Sequence, residues 1–194
     1  PVVVSPQSRN AMDVFSEVAI RKGARIVRVG QDVVWRKGEA NLDGQFFDVD
    51  GVRNSYRLWM PLIGDHQLQN AATAVATVEA LTERGFHVPA ESVIEGFRRV
   101  NWSGRLQVLS LDGVKVVVDC AHNPESMQIL MDALRDNFEF RRLIVVFGST
   151  GGHSVPGMMD ALKSLSPRVV AVRSRHPKSI PSQIISKEAR RRGL

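Results

Sequence analysis

Three short polar stretches each follow an apolar run rich in β-branched residues: Asp119-Cys120-Ala121-His122-Asn123-Pro124, Gly148-Ser149-Thr150-Gly151-Gly152-His153 and Ser174-Arg175-His176-Pro177-Lys178. In the first, Asn123 suits a helix N-cap and Pro124 a first helical residue. Asp119 and His122 have no such explanation, and both residue types move protons or hold polar ligands. The second is Gly-rich and can cradle an anion on backbone N–H groups, although a plain turn explains it equally well. It lacks the Gly-x-x-x-x-Gly-Lys-Ser/Thr pattern of a Walker A loop. In the third, Arg175 and Lys178 can hold a carboxylate or phosphate, or simply be solvated. Three histidines, one per stretch, raise the question of zinc. No ligand-pair spacing accompanies them, so no metal site is expected. Cys120 reads as a small buried thiol. A fourth cluster, Gly64-Asp65-His66-Gln67-Leu68-Gln69-Asn70, opens an Ala-rich helix. Its N-terminus can face an anion or a nucleotide, or be a capped end that packs closely.

The elements around these clusters follow from periodicity. Residues 2–5 and 25–29 are strand-like. Between them, Ala11, Val14, Phe15, Val18 and Ala19 form one apolar helix face over residues 8–22, and Gly23 ends it. Residues 33–36, 45–49 and 56–60 are strand-like pieces divided by Lys37-Gly38, Asp43-Gly44 and Asp50-Gly51, which predicts an antiparallel meander. Helices are expected over 66–84, with Ala71, Ala74, Val75, Val78 and Leu81 facing inward, and over 89–99. Beyond the break at Asn101 to Arg105 come strands at 106–111, 114–119, 143–147 and 169–173. Helices are expected at 125–137, 156–165 and 181–192. Near-continuous β-branched strands alternating with helices predict a parallel sheet covered on both faces. In such a sheet ligands bind at the carboxyl ends of the strands, where the three polar stretches lie.

Composition narrows the class. The chain has 194 residues, 43% apolar and 24% charged, with a net charge of +6. That fits a folded soluble protein without staples. The basic excess lies wholly in residues 165–194, which carry eight Lys/Arg against Glu188 alone. Aromatics are only 6% and all three Trp lie outside that tail, which argues against a nucleic-acid surface. One cysteine excludes an intrachain disulfide. No apolar run reaches the length of a transmembrane helix, and the first residues do not read as a signal peptide. A cytoplasmic location without membrane contact is therefore expected.

Three ordered motifs, GDHQLQNAATA (64–74), WSGR (102–105) and DCAHNPES (119–126), together with FGSTGG and RHPKS, resemble the second half of the Mur ligase family. The branch most similar is folylpolyglutamate synthase/dihydrofolate synthase, by His66-Gln67 followed by Asn70-Ala71. The resemblance implies an α/β chain: the end of a P-loop-type ATPase domain over residues 1–100, then a Rossmann-like parallel-sheet C-terminal ligase domain over 101–194. It also implies ATP-dependent addition of L-glutamate to a folate or dihydropteroate carboxylate through an acyl phosphate. ATP, L-glutamate and the folate or dihydropteroate acceptor are the implied partners, with Mg2+ as cofactor and its main ligands upstream. A monomer is expected, with no nucleic acid. Carried over by motif, Asn70 contacts the adenine side of ATP and His66 and Gln67 shape the same pocket, Arg105 reaches its phosphates, and Asp119 lies on its ribose side. His122, Asn123, Ser126 and His176 line the glutamate side, with Arg105 and His122 as the catalytic pair.

The sequence departs from the family pattern at Cys120, Gln107, Gly152-His153-Ser154 and Lys178, which touches the amino-acid side more than the ATP side. The family's Walker A loop is absent from these residues. The expectation is therefore a fragment of a longer ligase, inactive alone. Another Mur-type ligase acting on a peptidoglycan precursor, a basic nucleic-acid-binding module and a non-catalytic scaffold are the alternatives.

Overall fold

A computed structural model describes all 194 residues. They form two compact units, Pro1–Ser103 and Gly104–Leu194. No helix is long and apolar enough to cross a membrane.

In the first unit, β1 (Val2–Val4) leads through α1 (Arg9–Arg21) to β2 (Ile26–Arg28), which pairs parallel to β1. Ser8 caps α1 by accepting from the Ala11 N–H. The expected apolar face of α1 is only partly used. Ala19 is buried, but Val14, Phe15 and Val18 stay exposed. β1 and β2, the two strands of that sheet, have three residues each.

The meander follows as β3 (Val34–Asn41), β4 (Gly44–Asp50) and β5 (Ser55–Met60), all antiparallel. Lys37-Gly38 is not a turn. β3 runs through it, with a register shift between Lys37 and Ala40. A Cβ at Gly38 would meet the Phe46 carbonyl oxygen at 2.9 Å, so glycine serves close strand approach there. The turn lies at Leu42-Asp43, where Asn41 Oδ1 accepts from the Asp43 and Gly44 N–H groups.

Alternation along β4 and β5 sends Gln45, Phe47 and Val49, and Tyr56, Leu58 and Met60, to one buried face. α2 (Asp65–Thr82) packs on that side through Leu68, Ala71, Ala72, Val75 and Ala76. Ala74 and Leu81, expected inward, are exposed; Glu79 takes an inward place instead. α3 (Ala90–Arg98) packs on β5, and Phe97 meets Phe47 edge to face at 5.8 Å.

In the second unit, β6 (Gln107–Leu111) and β7 (Val114–Val118) form a hairpin closed by Asp112-Gly113. Both turn residues have positive φ, 48° and 79°, as a two-residue hairpin turn of matching twist requires. Then come α4 (Pro124–Asn137), β8 (Ile144–Phe147), α5 (Val155–Leu162), a 3-10 turn (Lys163–Leu165), β9 (Arg168–Ala171) and α6 (Ser182–Arg190). β8 and β9 are parallel, as expected.

The expected coverage of both faces is not met. β7 bonds only to β6 and β8 only to β9, and Val116, Val118, Ile144, Val146 and Val170 remain exposed. The strands alternate instead: Phe147 is buried while Val146 is 67% exposed. A cavity of about 650 Å3 lies between β7, β8 and α4. The helices supply much of the core through Met127, Met131, Leu134, Met158, Met159, Leu162 and Ile185.

Arg192 ties α6 to α5 through Asp160 at 2.7 Å and also holds Glu188 at 2.8 Å. Hydrogen bonding to Arg192 holds the Asp160 carboxyl below its ordinary value of 3.8. A depressed folded-state value stabilises above the unfolded value and is lost as pH falls through the folded one. The expected result is a melting-temperature gap between the parent protein and Asp160→Asn that persists above pH 3.8 and closes below it.

Candidate functional site

Each unit carries one cluster. In the first, Gln45 is 1% exposed and donates through Nε2 to the Leu62 and Gly64 carbonyls at 2.7 and 3.1 Å. This pins the loop that leads into α2. Gly64 has φ 100° and ψ 143°, a backbone glycine adopts far more readily than other residues. The first two turns of α2 then present Asp65, His66, Gln67 and Asn70. His66 Nε2 lies 3.1 Å from Gln67 Nε2, and Asn70 Nδ2 donates to Gln67 Oε1 at 3.2 Å. Lys37 reaches Asp65 at 2.7 Å. His66, Gln67 and Asn70 are thus one connected group of amide and imidazole edges at a helix N-terminus. Such a group suits a flat heterocycle with donors and acceptors on its rim. Gln45 was missed from sequence because a glutamine inside a strand reads as a surface residue.

In the second unit the three strand-end loops meet. His122 and His153 stand edge to face with ring centroids 5.3 Å apart, joining the first loop to the second. The Gly151 N–H donates to the Lys178 carbonyl at 2.8 Å, and the Ile180 N–H to the Ser149 carbonyl at 2.9 Å, joining the second to the third. His176 lies on that third loop, where its Nδ1 accepts from the Lys178 N–H. His122 Nδ1 is 3.1 Å from the Cys120 carbonyl oxygen. A carbonyl only accepts, so Nδ1 carries the hydrogen in this bond and the neutral ring's lone pair sits on Nε2.

Asn123 caps α4: its Oδ1 accepts from the Ser126 N–H at 2.7 Å, while Ser126 Oγ accepts from the Asn123 and His122 N–H groups. Cys120 is exposed, not buried. β7 stops at Val118, which leaves Cys120 on the loop beside Gly104. Asp119 accepts from Leu106 N–H through Oδ2 and from Ala121 N–H through Oδ1, both at 2.8 Å. Arg105 directly precedes Leu106. No group of three or more His, Cys, Asp or Glu side chains can hold a metal ion.

Residues 104–193 match the family described as Mur ligase, glutamate ligase domain. That match takes in nearly all of the second unit, whose fold is α/β. Over nearly its whole length the chain is similar to folylpolyglutamate synthases. It is 28% identical over 187 residues to the dihydrofolate synthase/folylpolyglutamate synthase of Mycobacterium tuberculosis, covering 95% of this chain and 38% of that protein. The solved structure of the Mycobacterium tuberculosis folylpolyglutamate synthase complexed with ADP matches with a TM-score of 0.90 and 29% identity, over 98% of this chain and 42% of that one. A diaminopimelate ligase from Chelativorans is 28% identical over 87% of this chain and 35% of its own length. The chain thus spans about two fifths of the relatives it matches.

Proposed function

We propose that these residues serve an ATP-dependent ligase that adds L-glutamate to a folate or dihydropteroate carboxylate through an acyl phosphate. The observation that carries this is the match to an ADP-complexed folylpolyglutamate synthase over 98% of the chain. It coincides with two built polar clusters on the motifs shared with that branch.

In this reading ATP lies against the first two turns of α2. Asn70 and Gln67 offer the paired donor and acceptor that an adenine edge requires, and His66 flanks them. Arg105 holds the phosphates with its planar fork and stays charged throughout. By resemblance Asp119 falls on the ribose side, but its two oxygens are already engaged by the Leu106 and Ala121 N–H groups, so no ribose contact is assigned to it. An oxygen of the acceptor carboxylate attacks the γ-phosphorus, and ADP leaves. The glutamate amine then attacks the acyl carbon, phosphate departs and the amide remains. His122 takes the amine proton on Nε2, the nitrogen opposite its bond to Cys120. Asn123, Ser126 and His176 line the glutamate side. Holding two anions and an amine together is the main catalytic contribution.

Magnesium is part of the reading by resemblance only. The residues here do not fit a magnesium site, since no acidic cluster forms and both Asp119 oxygens accept backbone N–H groups. No step is routed through it.

The test is phosphate release by the natural protein that contains these residues. Release is expected with ATP, a folate or dihydropteroate acceptor and L-glutamate together, and not when any one is left out. Release that instead requires a peptidoglycan precursor would move the reading to the wider Mur ligases. Tight, steeply salt-dependent oligonucleotide binding without turnover would replace it with a nucleic-acid module.

A further inference from the structure

We infer that Asp119 is the positioning residue for Arg105, acting through the backbone of Leu106. This rests on the role proposed for Arg105. The β6–β7 ladder ends with Gln107 opposite Val118, so Leu106 and Asp119 occupy the next facing positions. There the carboxylate takes the place of a ladder carbonyl: Leu106 N–H donates to Asp119 Oδ2 at 2.8 Å. The second oxygen accepts from Ala121 N–H, so the carboxylate is held between the two chain segments.

Leu106 has φ 44°, a left-handed backbone that is costly for a residue with a branched side chain. Its side chain is 3% exposed. Burial and the carboxylate together hold this unfavourable conformation. On the other flank of Arg105, the Gly104 N–H donates to Gln107 Oε1 at 3.0 Å. The Arg105 backbone is therefore fixed on both sides within four residues. A left-handed residue directly after Arg105 turns the chain sharply into β6, and releasing it re-aims the guanidinium. The Asp112-Gly113 hairpin acquires a purpose here, because it brings Asp119 back to Leu106.

The test is a double-mutant cycle in the natural protein, with ATP and with 2′- and 3′-deoxyATP. Asp119→Asn keeps the shape but sets an amide N–H against an N–H at one of its two bonds. It is expected to lower kcat about 100-fold with the KM for ATP changed less than about threefold. Combined with Arg105→Ala, it is expected to add almost nothing to the loss from Arg105→Ala alone. Discrimination between ATP and the deoxy nucleotides should be the same in parent and Asp119→Asn.

Multiplicative losses, or loss of deoxy discrimination in Asp119→Asn alone, would overturn the inference and make Asp119 a plain ribose contact. Full turnover by Arg105→Ala would instead sink the Arg105 role, and is seen in that single variant. Amide hydrogen exchange guards against misfolding, with Asp119→Glu as a second variant. The Leu106 amide should be protected in the parent and exchange much faster in a folded variant; unchanged protection there contradicts the latch.

Discussion

Arg105→Ala should reduce glutamate-dependent phosphate release by about 10²–10³-fold, the range for deleting one charge-stabilising donor. The loss should appear mostly in kcat, because charge on the transferring phosphoryl group develops after ATP is bound. Arg105→Lys should recover only a small part. A lysine supplies the charge but not the planar fork. The turn that carries Arg105 should survive and the protein should still unfold cooperatively, since the Leu106 N–H and Gly104 N–H bonds use backbone and neighbours, not the arginine side chain. Steady-state kinetics with a phosphate-release assay, beside a melting curve, checks both halves.

Glu79→Ala should destabilise the first unit by about 3 kcal/mol, the upper end for hydrogen bonds to a charged group. Glu79 is 4% exposed on α2, and its carboxylate accepts from the Val52, Arg53 and Asn54 N–H groups at 2.7, 3.1 and 3.0 Å. It also receives the Tyr56 hydroxyl at 3.4 Å. Burial pushes the Tyr56 phenol above its ordinary value, and the charge of Glu79 adds to that. One side chain thus replaces the missing partners of a whole turn and fastens the β4–β5 connection to α2. Urea unfolding should show a lower midpoint with an unchanged slope. A midpoint within experimental error of the parent would mean that water satisfies the turn and Glu79 is dispensable. Glu79→Gln should fall between the two, since one oxygen survives and the amide NH2 opposes the remaining donors.

Glu79 also shows where sequence reasoning stops. An acidic residue in an Ala-rich helix reads as a solvent-facing position, and only the fold reveals the unpaired N–H groups above it. The helix itself was legible from periodicity, as were the meander, the Asp112-Gly113 hairpin and the Asn123-Pro124 helix start. Each of those rests on local chemistry. Lys37-Gly38 misled because glycine serves close strand approach there, which depends on Phe46 eight residues away. The α1 face misled because periodicity reports amphipathicity and not what covers it.

The candidate clusters were legible as polar stretches at strand ends and at a helix start. Their internal wiring was not: the His122–His153 contact and the Asp119–Leu106 bond join residues 31 and 13 positions apart. The left-handed Leu106 has no sequence signal at all, since leucine is among the residues least expected there. Such a conflict between residue type and backbone is where functional constraint is expected.

In the proposed reaction an acceptor carboxylate is activated by phosphoryl transfer before the amine attacks. The most direct measurement uses an acceptor whose carboxylate oxygens are labelled with 18O, turned over by the natural protein with ATP and L-glutamate. Mass spectrometry of the released phosphate should find one labelled oxygen per turnover, carried over when the acyl phosphate breaks. Amide product accompanied by unlabelled phosphate would rule out the acyl phosphate.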